Sequence, residues 1–180
     1  MKFTPTAVHG CMLIELQAHA DERGFFSRAF CTEEFSEQGL DTTVAQANIA
    51  FNHVAGTVRG MHRQMPPHAE GKLVRCTRGA VVDVALDLRE DSPSFGTHVM
   101  VELTEDNHHA LWVPPYVSHG YQTLVDNTEV HYQVSGPYAP GAEKGQRYND
   151  PAFGITWPKQ VTLISDKDRD APDWDGRPIR

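Results

Sequence analysis

The sequence predicts an all-β protein, a jelly-roll β-sandwich or barrel with a few short helices, and three features of its 180 residues lead there. Apolar residues recur at every second position in short runs, turn-forming residues separate the runs at close spacing, and helical periodicity is thin. With 14 Gly and 12 Pro the chain is interrupted too often for a helical bundle. Its length and 39% hydrophobic content suit one compact core, so a single domain over residues 1–180 is expected.

Residues 32–39, Thr-Glu-Glu-Phe-Ser-Glu-Gln-Gly, predict one short helix with Thr32 as N-cap and Gly39 as terminator. Glu33 and Glu34 in its first turn complement the helix dipole. Residues 58–64 read as a strand. Period-2 alternation puts His62 on the face of Val58 and Gln64, and turns Arg59 and Arg63 the other way. Gly60 offers a bulge that would bring Arg59 and His62 into one pocket.

Residues 72–77 form the next strand. In 80–88, Val82, Val84, Leu86 and Leu88 take one face and Asp83 and Asp87 the other. Residues 98–103 turn Val99, Val101 and Leu103 inward, 110–113 make a short apolar strand, and 129–134 point Tyr132 inward with Val130 and Val134. Turns are expected at Arg78-Gly79, Asp91-Ser92-Pro93, Asp106-Asn107, Pro114-Pro115 and Asp126-Asn127. Residues 165–180 are polar and rich in Asp and Pro, and are expected to end as an exposed extension.

The net charge of −8 argues against nucleic-acid binding, and its distribution says more than its total. Residues 1–80 carry eight Lys/Arg against eight Asp/Glu, and residues 81–180 carry eight against sixteen. An anionic ligand is therefore repelled by the chain as a whole and needs a local cationic cluster. Arg23, Arg28, Arg59, Arg63, Lys72 and Arg75 are the candidates. Each taken alone reads equally as a solvated surface cation. Cys11, Cys31 and Cys76 are odd in number and lack a CxxC spacing, so a reducing cytosol is expected. No charged leader precedes a long apolar run, and no segment approaches the roughly 18 apolar residues of a membrane span. A soluble cytoplasmic protein is the expectation.

The chemistry concentrates in Arg59-Gly60-Met61-His62-Arg63-Gln64 and Lys72-Leu73-Val74-Arg75-Cys76, which set one imidazole among cations on adjacent short strands. His62 is either a base or a hydrogen-bonded core histidine. Tyr132 is either a core phenol or a second proton-transfer group across a cavity. Two such groups on opposite sides suit stereochemical inversion. His53, His62, His68 and His119 raise the question of a metal. Small jelly rolls often bind one through His-x-His, a downstream Glu and a later His, but Gln64 stands where the second histidine is needed. Near His119, Tyr116 stands where such motifs usually have glycine. No metal is expected. No GxSxG, P-loop or dinucleotide fingerprint is present.

Taken with these two stretches, several segments resemble the dTDP-4-dehydrorhamnose 3,5-epimerase family, a metal-free branch of the cupin jelly rolls. They include Asp21-Glu22-Arg23-Gly24-Phe25-Phe26, Gln46-Ala47-Asn48, Asp83 through Arg89, Ser92-Pro93-Ser94-Phe95-Gly96, Ser118-His119-Gly120-Tyr121, Asn149-Asp150-Pro151 and Ser165-Asp166-Lys167-Asp168. The resemblance implies removal and return of protons alpha to a ketone on a dTDP-linked, or other nucleotide-linked, 4-keto-6-deoxy sugar, with no cofactor. Such chemistry needs a base, an oxyanion partner and an acid. By resemblance, His62 is the base, Asp168 orients it, Lys72 stabilises charge on the C4 oxygen, and Tyr132 returns a proton on the opposite face. Arg23, Arg28, Gln46, Asn48, Arg59, His119, Glu143 and Lys167 line the nucleotide, diphosphate and sugar contacts.

A cytoplasmic homodimer serving polysaccharide biosynthesis is likewise implied. Arg28 replaces a frequent Glu and Arg63 a frequent aromatic residue, so altered base recognition or an added phosphate contact is expected there. A 3-epimerase that omits C5, or a different nucleotide, fits the same residues. Two rival readings are a metal-dependent cupin oxygenase with His62, His68 and His119 as ligands, and a non-catalytic sugar-nucleotide binding protein. Metal content separates the first, and absence of proton exchange the second.

Overall fold

A computed structural model describes residues 1–179, and these fold into two six-stranded sheets, one two-stranded hairpin and two short helices. The first sheet has the order β1 (Lys2–Pro5), β2 (Met12–Glu15), β10 (Ala110–Val113), β7 (Lys72–Arg78), β12 (Thr128–Val134) and β5 (Gln46–Asn52). The second has the order β13 (Glu143–Gly145), β6 (Thr57–Gln64), β11 (Ser118–Thr123), β8 (Ala80–Leu86) and β9 (His98–Thr104), with β14 (Leu163–Ile164) parallel to β6. β3 (His19–Asp21) and β4 (Gly24–Phe26) form the hairpin, and the helices are α1 (Thr32–Glu37) and α2 (Asp166–Arg169). This is the expected jelly roll. The other strand pairings are antiparallel, with a parallel bridge between Arg89 and Ile179 outside the strands, and consecutive strands frequently cross between sheets.

The core between the sheets is built from the period-2 faces. Val74 and Cys76 of β7, Leu111 and Val113 of β10, and Val130 of β12 meet Val81 and Ala85 of β8, Leu103 of β9 and Tyr121 of β11. Val99 and Val101 pack against them on the face expected for them. Burying a Leu or Val side chain stabilises by about 1.5–3 kcal/mol, so this cluster is the main source of cohesion between the layers.

Both sheets are also covered on their outer faces. Phe35 of α1, with Phe3 and Phe30, packs on Ile14, Leu73, Ala110 and Trp112 outside the first sheet. Phe153, Trp157, Trp174 and Ile179 pack on Met61, Val84, Leu86 and Leu88 outside the second. Double coverage explains a difference in β8, where Asp83 shares the inner face with Val81 and Ala85 while the aliphatic Val84 and Leu86 lie outside. Asp83 and Asp87 are both fully buried.

Two further expectations are corrected. The helix begins one residue earlier, with Cys31 as N-cap and no side-chain cap, while Gly39 terminates it at φ +70° with its N–H donating to Ser36 O. The polar tail is anchored at several points. Asp168 is buried, Trp174 N–H donates to Asp150 Oδ2 at 2.5 Å, and the buried Ile179 donates its N–H to Leu88 O at 2.7 Å. Arg180, the end of the expected extension, lies outside the described residues.

Candidate active site

Between the sheets, where the apolar core stops, lies a cavity of about 600 Å³. β5, β7 and β12 supply one wall with Gln46, Asn48, Lys72 and Tyr132, and β6, β11 and β13 supply the other with Arg59, His62, His119 and Glu143. Lys167 and Asp168 reach it from α2. Ten of the twelve residues expected to act on a ligand therefore share one cavity.

Gly60 decides the geometry of the second wall. β6 pairs His62 with His119 and Arg59 with Tyr121, so Gly60 and Met61 together oppose Gly120. That bulge turns Arg59 to the inner face beside His62 and Gln64. Gly60 has φ +122°, and a Cβ there would lie 2.5 Å from Gly120 Cα, so both conformation and space demand glycine.

His62 Nε2 lies 2.7 Å from Asp168 Oδ1, and the other carboxylate oxygen accepts the Gly60 N–H at 3.2 Å. Ser165 caps α2 and accepts the Asp168 N–H at 3.2 Å, fixing the carboxylate on its short helix. Burial pushes the Asp168 carboxyl upward, but hydrogen bonds from His62, Gly60 and Ser165 outweigh it and hold it below the usual carboxylate range. The ionised carboxylate suits a proton on Nε2, which leaves the Nδ1 lone pair free to accept one. Glu143 Oε1 lies 3.4 Å from Nδ1, and Lys167 Nζ binds the other Glu143 oxygen at 2.8 Å. An imidazolium formed at Nδ1 would thus face two carboxylates.

A parallel pair stands alongside, with His119 Nε2 2.7 Å from the fully buried Asp83 Oδ1. Arg59 Nε donates to Asn52 Oδ1 at 2.8 Å, and Asn52 also donates to the Tyr121 phenol at 3.3 Å. Burial drives that phenol up to about 12, with the Asn52 hydrogen bond opposing, so Tyr121 is a poor proton donor. Burial likewise lowers the Lys72 ammonium to about 8, with Glu143 pulling it upward. Tyr132 lines the cavity with Val130 and Val134 on the inward face expected for it.

Four cations depart from expectation, among them Arg75, which donates to Ala29 O at 3.2 Å and does not line the cavity. Arg23 pairs with Asp21 on the exposed hairpin and Arg28 binds Glu34 at 3.1 Å, and neither lines this chain's cavity. Arg63 alternates away from His62, and its guanidinium binds Ser118 Oγ at 2.9 Å and Gln146 Oε1. It is thus engaged on the back of β6. His68 is exposed and absent from the cavity lining, so the set His62, His68 and His119 does not converge. Among the described residues no group of three or more His, Cys, Asp or Glu is arranged to hold a metal ion. Tyr116, standing where glycine is usual, does adopt a left-handed φ of 67°.

Sequence reasoning missed Glu70, Gln64 and Tyr138 as cavity residues and Asp83 as the partner of His119. Asp83 had a signal, an acid on the inner register of a buried strand. Glu70 had only its spacing of two from Lys72.

A jelly-roll barrel with an imidazole–carboxylate pair on one wall, and a phenol and an ammonium on the other, defines a proton-transfer enzyme. The family model for dTDP-4-dehydrorhamnose 3,5-epimerase matches residues 5–175. A Sinorhizobium fredii dTDP-4-dehydrorhamnose 3,5-epimerase is 42% identical over 96% of this chain and 89% of its own length. The Bacillus anthracis epimerase, solved with TDP and PPi bound, superposes with a TM-score of 0.92 at 36% identity over 96% of this chain and 99% of that one. The Legionella pneumophila enzyme, in complex with dTDP-4-keto-L-rhamnose, superposes with a TM-score of 0.88 at 34% identity over 96% and 92%. This chain belongs to the dTDP-4-dehydrorhamnose 3,5-epimerase family.

Proposed function

We propose that the protein epimerises C3 and C5 of a dTDP-linked 4-keto-6-deoxy hexose, converting dTDP-4-dehydro-6-deoxyglucose to dTDP-4-dehydrorhamnose. The observation that carries this is the pairing, in one cavity, of the His62–Asp168 dyad on one sheet with Tyr132 and Lys72 on the other. His62 Nδ1 removes the proton alpha to the ketone, the C–H electrons move to the C4 oxygen, and Lys72 stabilises the resulting enolate. Tyr132 delivers a proton to the opposite face of the same carbon, which inverts it. The step is redox-neutral and calls for no cofactor.

Gln46, Asn48, Arg59, His119, Glu143 and Lys167 contact the sugar nucleotide. The bound TDP and dTDP-4-keto-L-rhamnose of the related structures support this ligand class. Incubation with dTDP-4-keto-6-deoxyglucose in D₂O, followed by NMR, tests chemistry, substrate and regiochemistry together. Deuterium at both C3 and C5 is expected. Deuterium at C3 alone would make the protein a 3-epimerase, and none at either would refute the reading.

The enzyme works as a cytoplasmic homodimer of single-domain chains. Phe25 and Phe26 on the β3–β4 hairpin are 49% and 74% exposed, and Ile49 on edge strand β5 is 65% exposed, a surface that suits burial against a second copy. The same hairpin carries Arg23, a ligand contact that its own cavity leaves out. Three free cysteines suit a reducing compartment, and among the described residues no helix is long and apolar enough to cross a membrane. Sedimentation should give a dimer that Phe26→Asp weakens.

A further inference from the structure

Lys72 is 14% exposed and its Nζ is in direct contact with Glu70 Oε1, whose side chain is 8% exposed. The other Glu70 oxygen accepts from Gln64 Nε2 at 3.0 Å. Gln64 is itself held on every side, donating to Pro137 O at 3.1 Å and accepting the Ala139 N–H at 2.7 Å. The backbone beneath Glu70 is equally fixed. Gly71 N–H donates to Ser135 Oγ at 2.9 Å, the Ser135 N–H returns to Gly71 O at 2.9 Å, and a Cβ on Gly136 would meet Ala69 O at 2.2 Å.

We propose that Glu70, anchored by Gln64, is a positioning residue that keeps the Lys72 ammonium charged and aimed at the oxygen on which negative charge develops. The inference rests on the reading of Lys72 as the enolate's partner. A lysine has a long flexible stem and three rotatable donors, and when buried it tends to lose its proton. A fixed carboxylate removes both difficulties. The other charged or titratable groups facing the cavity are Arg59 and His62 from β6, His119 and Tyr121 from β11, Tyr132 from β12, Tyr138 from the segment after it, Glu143 from β13, and Lys167 with Asp168 from α2. Asp168 is engaged by His62, and Glu143 by Lys167, so Glu70 is the carboxylate in hydrogen-bond contact with Lys72. Burial works against the Lys72 charge and Glu143 supports it, and a carboxylate in direct contact with the ammonium, as Glu70 is, favours the charged form by ordinary Coulomb attraction. Gln64, whose presence argued against a metal, here acquires a role of its own.

Glu70→Gln keeps shape and hydrogen bonding while removing the charge. With ¹³Cε-labelled lysine, and Lys72 assigned by Lys72→Arg, NMR should show deprotonation of Lys72 moving to lower pH by about one to three units. The alkaline limb of kcat should follow, lowering kcat at pH 8 by about tenfold or more. The acid limb, set by the His62–Asp168 pair, should stay, and KM should change less than kcat. Glu70→Asp should restore much of the shift. A Lys72 resonance that titrates in Glu70→Gln as in the unaltered protein would overturn the proposal. Should that variant fail to fold, the unaltered protein decides, because a Lys72 already neutral at pH 7 overturns it too. The titration is read without substrate, so its result is separate from whether the proposed substrate is turned over.

Discussion

Asp168 Oδ1 and His62 Nε2 lie 2.7 Å apart although 106 positions separate the two residues in the chain. The contact ties α2 to the β6 bulge, because the same carboxylate also accepts the N–H of Gly60. The His62 imidazole and the Asp168 carboxylate are therefore both set by one local distortion. Moving the bulge would move both.

Asp168→Asn keeps the size of the side chain and loses its charge. The imidazolium that forms when Nδ1 takes a proton then lacks its partner, and kcat should fall by about a hundredfold or more, with KM changed far less. Deuterium incorporation from D₂O measures this on the chemical step itself. A near-native rate would remove Asp168 from the mechanism.

His62→Ala should abolish solvent deuterium incorporation at C3 and C5 alike. Tyr132→Phe should retain exchange on the His62 face while completed inversion is impaired, because the enolate still forms but is reprotonated from the side it came from. NMR of the sugar resolves the two outcomes. Full exchange in the His62 variant would refute the assignment of the base.

Gly60→Ala tests the bulge. With φ +122° and a Cβ only 2.5 Å from Gly120 Cα and 2.8 Å from His119 O, the substitution should cost at least about 1–3 kcal/mol by urea unfolding and displace Arg59 from His62. Gly154, at φ +61° with nothing within 4 Å of a built Cβ, is the control. Gly154→Ala should cost about 1 kcal/mol and leave the site intact.

Acid stability should depend on Asp87. Burial pushes its carboxyl up, but hydrogen bonds from Arg89, Ser92 and Ser94 outweigh that and bring it down to about 2 from 3.8. Between these values the unfolded chain binds more protons than the folded one, so stability rises with pH. The contribution, about 2 kcal/mol, is present above the unfolded value and is lost as pH falls through 3.8 towards 2. Asp87→Asn should flatten that part of the pH–stability curve in thermal unfolding.

How legible the fold was in the sequence varies by strand. β7, β9, β10 and β12 sit where the apolar pattern predicted them, because each has an apolar inner face, and β8 sits where predicted although both of its faces carry apolar residues and Asp83 lies on the inner one. β11 gave no such signal. Its six residues, Ser-His-Gly-Tyr-Gln-Thr, are all buried, and their polar groups are satisfied by partners such as Asp83, Gln146 and Lys159 O. Hydropathy cannot report a buried polar strand whose partners come from elsewhere in the chain. β5 was missed for the opposite reason, being an edge strand whose Ile49 and Phe51 stay exposed.

The sequence by itself determined the jelly-roll class and the inward faces of most central strands, since side-chain alternation is a local property, but residue chemistry left His62 and Tyr132 open between core and proton-transfer roles that only the family resemblance assigned. Tertiary structure decided what depends on neighbouring strands. It resolved Gly60 into a bulge that joins Arg59 to His62, and sent Arg63 to Ser118 and Gln146 on the back of the sheet. It gave His119 a buried acid in Asp83 and placed Glu70 against Lys72. Each of these contacts is a hydrogen bond or charge pair that exists only once burial has removed water as the competing partner.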